Sequence, residues 1–253
     1  MLSAIVIAKN EQDQLTRCLS SLKFADEIIV IDNNSTDRTA KIAKDLKAKV
    51  IKFSLQGDYS RIRNFALQQA SYPWVLFVDA DEVVSSELSE EIKSELSKPA
   101  FSGYFLPRLD FLWGQPLLHG DTGNIKLLRL AKKDAGFWRG KVHETWQITG
   151  PTGQLSHPLQ HYPHPSLYEF LTSLNQYSDI RASELFEKQT SANIIKIVLY
   201  PVGKFINLWL LKRGFLDGTA GFVHAMSMAF YSYLVQAKLY FLHHPIRIHE
   251  IGK

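Results

Sequence analysis

Two aspartates one residue apart, Asp79-Ala80-Asp81, follow an unbroken apolar run, Trp74-Val75-Leu76-Phe77-Val78. Carboxylates at the end of a buried segment repel each other and lose hydration. A hard divalent cation relieves both costs, and Mg²⁺ characteristically takes one or two protein carboxylates and fills its shell with substrate phosphates. The same triplet also suits a helix cap or a solvated turn before Glu82. A second acidic end, Asp32-Asn33-Asn34-Ser35-Thr36-Asp37, has the short polar side chains of a turn, and Asp32 is placed to accept hydrogen bonds from a nucleoside base or ribose. Ala8-Lys9-Asn10-Glu11 closes a third apolar run in the same manner. Capping explains each end alone. Three polar ends converging on one edge are what a nucleotide pocket requires.

That convergence depends on the elements behind the ends. Leu2 to Ala8 reads as a buried strand and Glu11 to Leu22 as a helix, with Leu15, Cys18, Leu19 and Leu22 at helical spacing. Glu27 to Ile31 is a second strand ending in Asp32. Ser35 or Thr36 is expected to cap a helix that turns Ile42 and Leu46 inward. Lys49 to Phe53 is a third strand. Ile62, Phe65, Ala66 and Ala70 mark another helix, and Trp74 to Val78 is a fourth strand ending at Asp79. Strands alternating with helices predict a parallel, covered α/β sheet, whose ligands bind at the carboxyl ends of the strands. Between 100 and 160, frequent Gly and Pro punctuate short strand-like pieces, an irregular β-rich half able to build an acceptor site. Helical pattern resumes at Ser166, over Leu167 to Phe186, over Ile194 to Leu211 with a break at Pro201, and over Gly218 to Leu242.

Composition bounds the class. With 253 residues, 45% hydrophobic and 21% charged, the chain is globular and needs no disulfide or metal staple. One cysteine, Cys18, excludes a disulfide framework and a cysteine-based zinc site. The N-terminal apolar run lacks a basic flank and reads as a strand, not a secretion signal. The sequence has no 18 uninterrupted apolar residues, which argues against a spanning helix; a cytoplasmic protein is expected. The net charge of +4 is uneven: residues 187–253 hold eight basic and three acidic side chains with 10 of the 30 aromatics. There Phe205, Trp209, Phe215 and Phe222 interleave with Lys204, Lys212 and Arg213, a composition suited to an anionic lipid interface and equally to an ordinary helical core.

The motifs together carry a resemblance. Ile-Val-Ile-Ala-Lys-Asn-Glu, Ile-Val-Ile-Asp-Asn-Asn-Ser-Thr-Asp, the Arg63-Asn64 pair and Leu-Phe-Val-Asp-Ala-Asp-Glu resemble, in order and approximate spacing, the family 2 glycosyltransferases over residues 1 to about 100. Gly140-Lys141-Val142-His143-Glu144 and Gly214-Phe215-Leu216-Asp217-Gly218 look like those of one subgroup, the lipopolysaccharide inner-core β-1,4-glucosyltransferases, and extend the similarity over nearly the whole chain. The resemblance implies a GT-A fold, a Rossmann-like mixed sheet covered by helices, here with a C-terminal helical extension. Its catalytic domain would span 1–165, with a nucleotide-sugar half at 1–100 and an acceptor half at 101–165. The basic, aromatic helical region would span 166–253.

It also implies an inverting transfer of a hexose, glucose foremost, from a UDP-sugar to the heptose region of a lipid-linked core oligosaccharide. No nucleic acid partner is implied, and the membrane contact would be peripheral, on the cytoplasmic face of the inner membrane. By that likeness Ala8 and Glu11 would line the nucleotide pocket and Asp32 would bind uracil. Arg63 would lie beside the nucleotide, with Asn64 supporting the loop. Asp79 would touch ribose or metal, and Asp81 would hold Mg²⁺ or Mn²⁺. Inverting transfer needs one carboxylate to take a proton from the attacking hydroxyl. Glu144 is the nearest match to the family's base, Asp121 the runner-up, and a buried ion pair with Lys141 or Arg139 is the competing role for Glu144. Of His161 and His164, His161 better fits the histidine that completes metal coordination, and a structural histidine is the alternative. A metal-dependent nucleotidyltransferase and a non-catalytic basic lipid-binding module are the competing functions. The first would want a glycine in the loop after the first strand, and Ala8-Lys9-Asn10-Glu11 has none.

Overall fold

The computed structural model describes residues 1–54, 58–140, 144–163 and 166–245. Lys141, Val142, His143 and His164, singled out above, lie outside the described residues. The chain divides into two units, Met1–Leu109 with Asn124–His161, and Asp110–Gly123 with Tyr162–Lys253.

The first unit opens with the expected alternation: β1 (Leu2–Ala8), α1 (Leu15–Ser21), β2 (Glu27–Asp32), α2 (Thr39–Asp45), β3 (Lys49–Lys52), α3 (Tyr59–Gln69) and β4 (Trp74–Asp79). β1 pairs in parallel with both β2 and β4, and β2 with β3. These strands are apolar on both faces because both faces are covered. Leu2, Ala4, Val6 and Ala8 pack with Leu15 and Leu19 of α1 and with Leu22 just beyond its end. The alternate residue Ile5 packs with Ile29, Ile31, Ile62, Ala66 and Phe77 on the other face. β5 (Glu82–Val83), α4 (Ser86–Ser97), β6 (Gly103–Leu112), β7 (Gln115–Leu117), β8 (Lys126–Lys132), β9 (Gly136–Arg139), β10 (Thr145–Ile148), β11 (Thr152–Gln154) and β12 (Leu159–His161) follow in chain order, of which β7 and the last three residues of β6 belong to the second unit. The sheet runs β3-β2-β1-β4-β8-β6-β12-β5, with β8 antiparallel to both β4 and β6. β9 and β10 form a separate antiparallel ribbon in which Trp138 faces Trp146.

The second unit holds α5 (Leu167–Glu187), α6 (Ile194–Ile206) and α7 (Gly218–His243). Leu112 and Leu117 pack with Phe170, Leu174 and Ala220. This is why residues 110–123, expected in the catalytic half, belong with the helices. His119 and Asp121 are bound there too: His119 Nδ1 lies 2.6 Å from Asp217 Oδ1, while Asp121 takes Lys204 Nζ at 3.0 Å and His224 Nε2 at 2.9 Å. Gly221 is required by close approach, since a Cβ there would collide with the carbonyl oxygen of Gly214.

Two expectations are corrected. α2 begins after Arg38 with no side-chain cap; Asp37 accepts from Thr39 N, and Ser35 and Thr36 are used elsewhere. Pro201 does not break α6, which runs through it to Ile206 and then widens into a π turn over Asn207–Leu211. The carbonyl of Ile197, four residues earlier, loses its partner on a solvent-accessible helix, where water can replace the bond. Finally, although no uninterrupted apolar run of that length exists, the 18 residues Ile194–Leu211 form a helix with mean hydropathy 1.6 and only 6% burial. By length and composition that helix is sufficient to cross a membrane.

Candidate functional site

The parallel register aligns the polar strand ends. Ala8 sits opposite Asp32, and Ile7 opposite Asp79, so β2, β1 and β4 deliver their last residues to one edge. The loops beyond are stitched together. Asn33 N donates to Ala8 O, Asn10 N to Ser35 Oγ, Thr36 N to Asn10 Oδ1, Glu11 N to Thr39 Oγ1 and Gln12 N to Asp37 Oδ2, all within 2.8–3.1 Å. Asn10 and Asn34 adopt left-handed backbone, φ 58° and 55°, a conformation asparagine tolerates better than most residues. Asp32 is only 1% exposed, and its Oδ1 accepts from Ser35 N at 3.1 Å. It therefore holds the turn from beneath.

Asp79 is committed to two arginines. Arg63 Nη2 donates to its Oδ1 at 3.0 Å, Arg129 Nη1 reaches the same oxygen at 3.3 Å, and Arg129 Nη2 makes a short bond to Oδ2. Burial alone would raise the Asp79 pKa, but Arg129 and Arg63 outweigh it and hold the carboxyl well below the usual range. Glu82 is fully buried and accepts from Asp79 N at 2.8 Å, with Arg129 3.6 Å away. Burial first, then Asp79 and Asp81, push Glu82 up to about 7 against the opposing pull of Arg129. Glu11 is likewise raised to about 7, by burial and then by Asp81, Asp37 and Asp79. Acidic charge thus accumulates along this edge.

Arg63 is the hub. Its Nε donates to Glu144 Oε1 at 2.6 Å while Nη2 holds Asp79. Its guanidinium carbon lies 4.6 Å from the ring centroid of Trp138 and 5.6 Å from that of Phe77, a cation–π arrangement. Trp138 and Trp146 stack at 5.3 Å, and both meet Phe77 edge-on. Asn64, the next residue on α3, fixes this ribbon: its Nδ2 donates to Trp138 O at 2.9 Å and its Oδ1 accepts from Trp138 N at 2.8 Å. Glu144 thus has an ion-pair partner, but it is Arg63. Arg139 stacks over Phe137, and Lys141 lies outside the described residues. Asp121, the other candidate base, is paired inside the second unit, where Lys204 and His224 overcome the effect of its burial and keep its carboxyl well below the usual range.

The two proposed metal ligands meet. β12 runs antiparallel to β5 with His161 opposite Glu82, which brings His161 Nε2 to 3.3 Å from Asp81 Oδ2. Among the described residues no group of three metal-ligating side chains exists. A carboxylate and an imidazole side by side still fit Mg²⁺ or Mn²⁺, because such ions take few protein donors when substrate phosphates supply the rest.

Arg129 and the burial of Glu82 escaped sequence reasoning. The available signal was a charged residue inside Leu127-Leu128-Arg129-Leu130, a strand otherwise apolar.

The model of the family described as Glycosyl transferase family 2 matches residues 3–144, more than half of the chain. Rhizobium meliloti LpsC, a lipopolysaccharide core biosynthesis glycosyltransferase, is 29% identical over 250 residues, 96% of this chain and 93% of that protein. The uncharacterized glycosyltransferase RT0209 of Rickettsia typhi is 29% identical over 252 residues, 94% of this chain and 86% of that one. Among solved structures, S. aureus TarS residues 1–349 aligns with 98% of this chain and 92% of its own at 14% identity and a TM-score of 0.49.

Proposed function

The chain belongs to glycosyl transferase family 2, and on that premise we propose that it moves a hexose, glucose foremost, from a UDP-sugar to the heptose region of a lipopolysaccharide-type core, inverting the anomeric centre. The fold is GT-A. One observation carries the mechanistic reading: a single side chain, Arg63, joins the donor edge at Asp79 to the carboxylate of Glu144. The resemblance to LpsC supports the choice of acceptor.

The nucleoside lies over the loops after β1 and β2, against Glu11, with the buried Ala8 and Asp32 supporting those loops from beneath. Arg63 and Asp79 flank the diphosphate and ribose, and Asn64 keeps Arg63's aromatic seat in place. Asp81 and His161 would hold a divalent cation, Mg²⁺ or Mn²⁺, which would supply Lewis-acid stabilisation of the departing diphosphate. The acceptor hydroxyl attacks the anomeric carbon from the face opposite UDP. Its oxygen forms the new C–O bond as the bond to the diphosphate breaks with the electron pair leaving on UDP, and the hydroxyl proton passes to Glu144. Arg63 Nε orients Glu144 for that step while its Nη2 stays on Asp79 at the donor edge. The acceptor being lipid-linked, the enzyme works peripherally at the cytoplasmic face of the inner membrane, a placement that the exposed apolar surface of α6 favours.

Replacing Glu144 by Gln tests the assignment. Turnover should fall about 10²–10⁴-fold, the usual worth of a general base, while calorimetric affinity for UDP-glucose with Mn²⁺ stays within a few-fold. Asp121→Asn should keep its turnover. If Asp121→Asn is the inactive variant and Glu144→Gln the active one, Glu144 is not the base.

A further inference from the structure

A cavity of about 310 Å³ lies within the second unit, among α5, α6 and α7. Its lining includes three cations, Arg181, Lys196 and Lys204, and no carboxylate. We propose that it receives the phosphate head group of an anionic phospholipid, so that one lipid molecule is gripped while α6 lies along the bilayer surface. The inference rests on the peripheral placement proposed above and adds to it a discrete lipid site, lined by none of the donor or catalytic residues.

The spacing along α6 leads there first. Lys196, Tyr200 and Lys204 recur every fourth residue, so they share one side of the helix, and all three line the cavity. Ile195, Leu199 and Val202, on a neighbouring side, are each more than half exposed. A helix with an apolar side and a lysine stripe beside it lies along a membrane surface, its apolar side chains among the acyl chains and its cations at the level of the phosphates. The cations also keep donors to spare. Lys196 Nζ donates to the carbonyl oxygen of Ser191 at 2.7 Å and to its hydroxyl at 2.9 Å, and Ser191 itself lines the cavity. An ammonium has three N–H donors, so one remains, and no carboxylate pairs with Lys196 among the described residues. Lys204 gives one hydrogen bond to Asp121, and Arg181 one to Glu184, which leaves further N–H groups on each. Even with those two carboxylates counted, the cluster keeps the positive charge of Lys196, and a phosphodiester carries the single negative charge that answers it. Finally, Leu185, Met228 and Val235 add an apolar part to the same lining. A lipid's glyceryl portion would cover that surface, whereas a free phosphate would leave it wet.

Calorimetric titration of the full chain with dihexanoylphosphatidylglycerol, kept monomeric below its micellar concentration, and with glycerol 3-phosphate decides the matter. The lipid should bind one to one, and about ten-fold or more tightly than glycerol 3-phosphate. Replacing Lys196 and Arg181 together by Ala should weaken the lipid about ten-fold or more, while Lys196→Arg alone should keep it within a few-fold. UDP affinity in the presence of Mn²⁺ should be the same in every variant. Absence of one-to-one lipid binding, equal affinity for glycerol 3-phosphate, or a lipid affinity that survives the double substitution overturns the proposal. Sedimentation with phosphatidylglycerol vesicles separates this failure from that of the reading beneath it. A wild-type chain that sediments with the vesicles yet binds no monomeric lipid loses the head-group site and keeps its peripheral placement, and one that does neither loses both.

Discussion

Glu11 sets the pH behaviour of the donor edge. Its folded pKa of about 7 lies above the ordinary 4.5, and Glu82 shares the direction. Between those values the folded chain binds more protons than the unfolded chain, so unfolding free energy falls as pH rises through that window. The carboxylates held low, Asp79 and Asp121, titrate below it and act in the opposite sense. Glu11→Gln cannot ionise. With chelator present, its melting temperature relative to wild type should climb from pH 5 to pH 8; a constant difference across that range would mean that Glu11 is not under acidic strain. The acidic residues of this edge were legible in the sequence because each ends an apolar run. Their partners were not. Arg63 meets Glu144 across 81 residues and Arg129 meets Asp79 across 50, and such pairings depend on how distant elements come together, which local spacing does not encode. The competing role for Glu144, a buried ion pair with Lys141 or Arg139, is filled among the described residues by Arg63 instead.

At the scale of elements, the β-α alternation was readable because buried parallel strands are apolar on both faces and the helices between them are not. The second half was less so. Strands of three or four residues such as β7, β11 and β12 leave no period to detect, and their pairing is made by tertiary contact. The cap of α2 was misplaced because Ser35 and Thr36 satisfy the neighbouring loop, a competition that composition does not reveal. Asn64 shows how one side chain joins two elements. Its amide answers both the N–H and the C=O of Trp138, and truncation strands two backbone groups. Asn64→Ala should cost about 2 kcal/mol or more, given roughly 1–3 kcal/mol for each buried group left unpaired. Urea denaturation should show a lower midpoint at an unchanged slope, and an unmoved midpoint would show that the ribbon holds without it.

For the whole molecule, the apolar surface of α6 and the π turn that follows it is the feature that most needs a partner. Leu199, Val202 and Leu210 are each more than half exposed, and burying a side chain of this kind is worth about 1.5–3 kcal/mol. The triple serine variant should fold as before and sediment with phosphatidylglycerol vesicles at least ten-fold less well at low salt. Vesicle binding equal to wild type would assign that face to something other than lipid. The division of the chain has its own consequence. The second unit is drawn from two stretches, Asp110–Gly123 and Tyr162 onward, so a ribosome releases its first piece some forty residues before the rest. During that interval Leu112 and Leu117 wait without Phe170 and Leu174, and Asp121 without Lys204 and His224. No single cut in the gene yields both units intact, and an open reading frame beginning at Tyr162 would encode helices lacking the strand and the acidic anchor that complete them.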